Sequence, residues 1–225
     1  MESDFAILRD CPLFVGIDQE QLRTMLECMG ARRVRTGRGE PIFMEGDRAE
    51  SVGVVISGAA QVVRHDIFGN RTIQMRVGPG GLFGETFACA GVTRLPVSVE
   101  AALPGEILLI DLRRVTGTCP NACGFHRRMV TNLLRVLAEK NLRLNDKLDI
   151  AARRTTRDKL MAYLMTQAKA AGGPAFEIPF DRQGLADYLG VERSALSAEI
   201  GRLRREGVLE SRRSAFRLLA KEEGE

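Results

Sequence analysis

Between Asn121 and Ala152 the chain has no proline, and its only glycine, Gly124, lies near the start. A stretch this long without a breaker reads as one helix. Within it Val130, Leu134, Leu137, Asn141, Leu144, Leu148 and Ala151 recur at steps of 4, 3, 4, 3, 4 and 3. That is a heptad seam held for about three repeats. Asn141 interrupts the apolar seam, and a polar Asn at such a position fixes a parallel two-stranded register at some cost in stability. Met129, Leu133 and Val136 form a second apolar stripe, suited to packing on the chain's own sheet domain. Both readings can hold together, with one stripe for that domain and the other for a second copy.

The segments on either side differ in pattern. Residues 40–112 are rich in Gly and β-branched residues. Their short apolar runs are Val52–Ile56, Gln61–Val63, Thr72–Val77, Val97–Ala101 and Ile107–Ile110. Turn signals such as Ser57-Gly58, Phe68-Gly69-Asn70, Gly78-Pro79-Gly80-Gly81 and Pro104-Gly105 separate them, which predicts an antiparallel sandwich or barrel. Ahead of it, Leu22, Met25, Leu26 and Met29 at helical spacing predict a helix capped by Asp18. After the long helix the sequence predicts a helix over Thr156–Ala170, stopped by Gly172-Gly173-Pro174. An edge strand is predicted over Phe176–Phe180, since it contains a proline. A short helix over Gln183–Leu189 capped by Asp181, a turn at Gly190 and a helix over Glu192–Glu206 follow. Strands at Val208–Glu210 and Phe216–Leu219 close the chain. The domain boundaries so read are 1–118, 119–153 and 154–225.

Composition sets limits. At 44% hydrophobic and 28% charged, the chain has material for a buried core. No apolar run approaches the roughly 18 residues of a membrane span. Met1–Asp10 is acidic and polar where a secretory signal is basic and then apolar, so a cytoplasmic protein with no membrane partner is expected. Five cysteines, an odd number, do not make a disulfide framework. Enzymatic motifs are missing: there is no phosphate-binding Gly loop with Lys and no carboxylate pair at motif spacing. The net charge of +4 is concentrated. Seven Arg and three Glu fall between Arg193 and Arg217, so this segment carries the whole excess. A basic face on a helix, Gly turn, helix and β hairpin is the footprint of a winged helix-turn-helix on phosphates.

The run Ala186-Asp187-Tyr188-Leu189-Gly190-Val191-Glu192-Arg193-Ser194-Ala195-Leu196-Ser197, continuing to Arg204-Arg205-Glu206-Gly207-Val208-Leu209-Glu210, resembles the DNA-binding domain of the CRP/FNR (cyclic-AMP receptor/fumarate-nitrate regulator) family. Cys11-Pro12-Leu13-Phe14, Gly37–Gly46, Ile56-Ser57-Gly58, Gly78-Pro79-Gly80 and Phe83-Gly84-Glu85 resemble that family's cyclic-nucleotide-binding β roll. The match covers nearly the whole chain in one order. It implies an α+β fold: an N-terminal β roll (jelly roll), a long dimerisation helix and a C-terminal winged helix-turn-helix. The function implied is that of a homodimeric transcription regulator, not an enzyme, with a sensory domain that controls binding to a palindromic operator on double-stranded DNA. RNA polymerase is a further partner if the protein activates.

Carried over residue by residue, the resemblance places Arg193, Ser194, Ser197 and Ala198 toward the major groove. Arg182, Gln183, Arg202, Arg212 and Arg213 belong to the same DNA face, with Arg202, Arg212 and Arg213 as phosphate contacts or solvated charges. The two namesakes carry Glu in place of Ser194 and Arg in place of Ala198, so a different half-site is expected. The dimer seam is Val130, Leu134, Leu137, Asn141, Leu144 and Leu148. An unidentified small effector is expected near Gly84, Glu85, Thr86, Arg94, Leu95, Pro96, Val97, Asn132 and Leu133. Nucleotide-binding members follow the Gly-Glu pair with Arg-Ser or Arg-Thr, whereas this chain reads Arg94-Leu95-Pro96. Leu and Pro offer no hydroxyl and Pro no N–H to a phosphate, so cyclic AMP is not the expected ligand. The alternative is a redox-, metal- or haem-responsive regulator using Cys119, Cys123 and His126 or a bound cofactor. The N-terminal part holds only Cys11 and Cys28, too few for an iron–sulfur cluster there. A third class is a regulatory subunit whose winged helix contacts protein.

Overall fold

The computed structural model describes residues 2–113 and 124–219, with side chains from residue 5 and, after the gap, from residue 127. The chain divides into two compact units, Met1–Asn141 and Leu142–Glu225. The division falls inside the long helix, so each unit owns one part of it.

The first unit opens with α1 (Glu2–Asp10), a helix the acidic N-terminus did not suggest. A 3-10 turn follows at Pro12–Phe14, then α2 (Gln19–Cys28). Asp18 caps α2 as expected, accepting from Gln21 N at 2.8 Å. The strands are β1 (Arg32–Thr36), β2 (Pro41–Phe43), β3 (Ser51–Val55), β4 (Ala59–His65), β5 (Arg71–Val77), β6 (Leu82–Phe83), β7 (Ser98–Leu103) and β8 (Gly105–Asp111). A short helix, α3 (Glu85–Cys89), interrupts them. Two antiparallel four-stranded sheets result, ordered β1-β8-β3-β6 and β2-β7-β4-β5. The long helix α4 spans Gly124–Ala151.

Strand alternation explains why β8 reads as an unbroken apolar run. Leu108 and Ile110 face a layer that holds Cys11, Leu13, Phe14, Leu22 and Met25 of the N-terminal segment and Met129, Leu133 and Val136 of α4. Ile107 and Leu109 face the other way, into the roll, with Val55, Val62, Val97 and Val99. A strand buried on both faces loses the polar half of the period-2 pattern. The same split divides Val52 and Val54 from Val55 in β3.

The second unit holds the last turns of α4, then α5 (Thr156–Ala171), capped by Thr155 and closed by Gly172 at φ 70°. β9 (Ala175–Glu177) is the edge of a three-stranded sheet, order β10-β11-β9, with β10 (Leu209–Arg212) and β11 (Ala215–Leu218) as the wing. The proline-bearing segment therefore forms a shorter edge strand than its pattern predicts. Between lie α6 (Arg182–Leu189) and α7 (Arg193–Arg205). Leu160, Leu164, Phe180, Leu185, Leu189, Leu196, Ile200, Leu203, Leu209 and Phe216 are all buried. Among the described residues no helix is long and apolar enough to cross a membrane.

Candidate functional site

Two regions carry chemistry. In the helix-turn-helix, Asp181 accepts from Gly184 N at 2.8 Å and so starts α6. Gly190 then takes φ 62°, ψ 52°, a left-handed conformation that Gly adopts without a Cβ penalty. Val191 N donates to Ala186 O at 3.1 Å, closing the turn. On α7, Leu196, Ile200 and Leu203 recur at helical spacing and are buried, which fixes the rotation of the helix. Arg193, Ser194, Ser197 and Ala198 are therefore exposed on the other side, at its N-terminal end.

The expected DNA contacts do not all stay outward. Arg182 is half-buried, its guanidinium 5.1 Å above the Phe216 ring, and it donates to Ser211 Oγ at 3.3 Å. It braces α6 against the wing. Gln183 donates to Asp187 Oδ1 at 2.7 Å. Arg202 lies 3.3 Å from the buried carboxylate of Glu199, which Arg157 also approaches at 3.4 Å. Arg157 further pairs with Glu206 at 2.7 Å, and that contact holds the Glu206 carboxyl below its ordinary pKa. Arg212 and Arg213 are exposed on the wing, Arg213 at φ 54° in the turn. The role of Arg157, far away in sequence, had no periodic signal.

In the sensory region Gly84 has φ 85°, and a Cβ there would lie 2.8 Å from Ser51 O. Glu85, next along, is 1% exposed. Its Oε1 accepts from Lys140 Nζ at 2.6 Å and from Thr86 Oγ1 at 3.1 Å. Lys140 also donates to Leu82 O at 2.7 Å. Glu85 Oε2 is buried with no hydrogen-bond partner among the described residues. Lys140 was missed by sequence reading, yet it had a signal: Met129, Leu133, Val136 and Lys140 continue one helical stripe in steps of 4, 3 and 4.

The structure separates the other expected effector residues. Leu95 and Val97 are buried in the roll, while Arg94 and Pro96 are exposed. Extended chain alternates faces, so an arginine one position from the inward residue points out. Arg94 Nη1 donates instead to Gly46 O at 2.7 Å. Thr86 is exposed. Asn132 is buried, but its Nδ2 donates to Leu13 O at 3.1 Å and Val15 O at 2.9 Å, and Leu133 packs in the same helical layer. Phe83 fills the roll: a Cβ on Gly53 would come within 2.0 Å of its ring, and Phe43 meets it edge-on at 5.5 Å.

Among the seam residues Val130, Leu134, Leu144 and Leu148 are exposed large apolar groups, Asn141 is exposed and Leu137 is half-buried. Cys119, Cys123 and the side chain of His126 lie outside the described residues. Cys11 is buried, and desolvation pushes its thiol up to about 11, which suppresses the reactive thiolate. Among the described residues no His, Cys, Asp and Glu cluster is arranged to hold a metal.

A cyclic nucleotide-binding domain model matches residues 33–119 and a Crp-like helix-turn-helix domain model matches residues 158–223. The chain is 27% identical over 209 residues to the cyclic AMP receptor protein of Thermus thermophilus, covering 90% of this chain and 89% of that one. It is 24% identical to the transcriptional activator protein FnrL of Cereibacter sphaeroides, covering 89% and 82%. In fold it is similar to the c-di-GMP-responsive regulator CLP of Xanthomonas campestris, with a TM-score of 0.74 and 19% identity over 91% of this chain and 100% of that one. With both domains matched in the order in which the β roll and helix-turn-helix occur here, the chain belongs to the CRP/FNR family of DNA-binding transcription regulators.

Proposed function

We propose that this protein is a homodimeric regulator that reads a palindromic operator through α7 and is controlled by a small effector other than cyclic AMP. The observation that carries the DNA reading is the orientation of α7: its apolar stripe is buried while Arg193, Ser194, Ser197 and Ala198 stay exposed at its N-terminal end. That end is the one a recognition helix presents to base edges. The exposed Val130, Leu134, Leu144 and Leu148 stripe supports the dimer, since among the described residues nothing covers it. A parallel pair of such chains would read half-sites about one helical turn apart. RNA polymerase would be a partner if operator binding activates. The Thermus relative carries cyclic AMP in its name, but here the inward position holds Leu95 and the arginine faces out. A redox signal is the alternative reading; among the described cysteines Cys11 is buried while Cys28 and Cys89 are exposed.

Titration of selected operator and scrambled DNA tests this reading. Arg193→Ala should cost about 1–3 kcal/mol per half-site, concentrated at one base position. Arg212→Ala should weaken both DNAs alike and flatten the salt dependence, because a phosphate contact releases counterions whatever the base. Equal losses on both DNAs for Arg193→Ala would make it a phosphate contact. Failure to select any sequence would sink the reading.

A further inference from the structure

Arg157 and Glu206 both stand where their own helices disfavour them. Arg157 is the second residue of α5, at the end of a helix dipole that repels cations, and Glu206 caps the C-terminal end of α7, which repels anions. Glu199 is equally out of place, an acid 9% exposed beside Leu196, Ile200 and Leu203. Local preferences broken at three positions that meet in space mark a site with a duty beyond its own helix.

Arg157 joins the three. Its Nη1 donates to Glu199 Oε1 at 3.4 Å, and its Nη2 to Glu206 Oε2 at 2.7 Å. The base of this fork is fixed. Thr155 Oγ1 accepts from Asp158 N at 3.1 Å and donates to Asp158 Oδ2 at 2.7 Å, a reciprocal cap on the first turn of α5. Leu160 and Leu164, further along α5, are buried. Glu199 and Glu206 lie seven residues, about two turns, apart on one side of α7. Apolar packing is non-directional and leaves a helix some freedom to roll and tilt. Two charged contacts two turns apart restrain both motions. Arg202 also approaches Glu199, at 3.3 Å, but it belongs to α7 and so cannot anchor that helix to another.

We infer that Arg157 is a positioning residue for operator recognition: it fixes the roll and tilt of α7 through Glu199 and Glu206, and so sets where Ser194, Ser197 and Ala198 meet the bases. These three side chains are short. A long arginine adjusts its reach to a displaced helix, whereas a hydroxyl or a methyl group has no such slack. Discrimination by α7 therefore depends on where its backbone lies, and a supporting contact left loose is enough to lose it. Arginine suits the task because its planar fork serves two carboxylates at once, which a lysine ammonium does less well. This role deepens the proposed operator reading and rests on it.

Titration of the full chain on selected operator and scrambled DNA, at one salt concentration, tests it. Arg157→Gln should lower the ratio of the two affinities about tenfold, the order of one lost base contact. Arg157→Lys keeps the charge and loses the fork. Its ratio should fall between those of the wild type and Arg157→Gln, while its affinity for scrambled DNA stays within about twofold of the wild type. Glu206→Gln, at a carboxylate 40% exposed, removes one arm without disturbing the buried one, and should lower the ratio in the same direction. A merely structural role would lower both affinities together; an unchanged ratio in these variants of a discriminating protein overturns the proposal and leaves the operator reading standing. A wild-type chain that selects no sequence fails the operator reading and takes this role with it. Amide hydrogen exchange of the free protein is the second arm. In Arg157→Gln, α7 should lose protection about threefold or more while α6 keeps its own. Unchanged protection of α7 overturns the proposal whether or not the chain binds DNA.

Discussion

Lys140 continues the stripe of Met129, Leu133 and Val136, yet carries a charge into a position where its neighbours are apolar. The Glu85 carboxylate, 1% exposed, is what makes that position tolerable. Removing one partner of a buried pair leaves the other uncompensated, so Lys140→Met should cost about 3–5 kcal/mol in urea denaturation. Lys140→Met with Glu85→Leu should recover most of the loss, because replacing both partners removes both desolvation penalties. A single-variant cost under about 1 kcal/mol would mean that water reaches the pair. Lys147, on the same helix but in the second unit, lies 4.3 Å above the Tyr188 ring, and desolvation lowers its pKa from 10.5 to about 8. Between those values the unfolded chain binds more protons than the folded one, so this lysine makes stability rise with pH across that window. Denaturation of the protein and of Lys147→Met at pH 8 and pH 10 checks this: the rise should be smaller in the variant. At this scale the sequence was least legible. The resemblance put Arg94 close to the family's arginine position, yet Arg94 is exposed and its neighbour Leu95 is the buried one, a choice that spacing alone does not decide.

Among the elements, α4 was the most legible, since its lack of breakers and its heptad steps are properties of local sequence. Its two stripes have separate fates: Met129, Leu133 and Val136 are buried, while Leu134, Leu144 and Leu148 are 63%, 54% and 58% exposed. Leu137 is half-buried against the helical layer, so a charge there would disturb the fold as well as a dimer. Leu134 and Leu144 are the cleaner targets. Leu134→Asp/Leu144→Asp should turn a dimer into a monomer at micromolar concentration in sedimentation, since each buried leucine contributes roughly 1.5–3 kcal/mol. Circular dichroism of the variant should stay native in shape. A wild-type chain that sediments as a monomer at every concentration would end the dimer reading. By contrast α1 and α3 were not predicted. α3 has only five residues and begins at a left-handed glycine, so its stop signals outweigh its periodicity.

For the whole molecule, the order of roll, helix and winged helix follows from pattern, but what fills the roll does not. That depends on pairing between distant strands, which places Phe83 of β6 on Gly53 of β3 and joins Leu95 and Val97 to Phe43, Val62 and Val99. The described residues that line this interior are apolar, and transferring an anion among them without hydrogen bonds is costly. Calorimetry with cyclic AMP at physiological salt should therefore show no saturable binding. A dissociation constant in the micromolar range or tighter would overturn this. Leu95→Arg gives a second arm. It puts a guanidinium among apolar side chains at a site 3% exposed, so it should lower Tm through the penalty of an unpaired buried charge. If the interior can open around a nucleotide, cyclic AMP will pair with that charge and restore Tm by mass action. If the roll is closed by its own packing, the variant will stay destabilised whatever the cyclic AMP concentration, and the sensory signal must enter elsewhere on the domain.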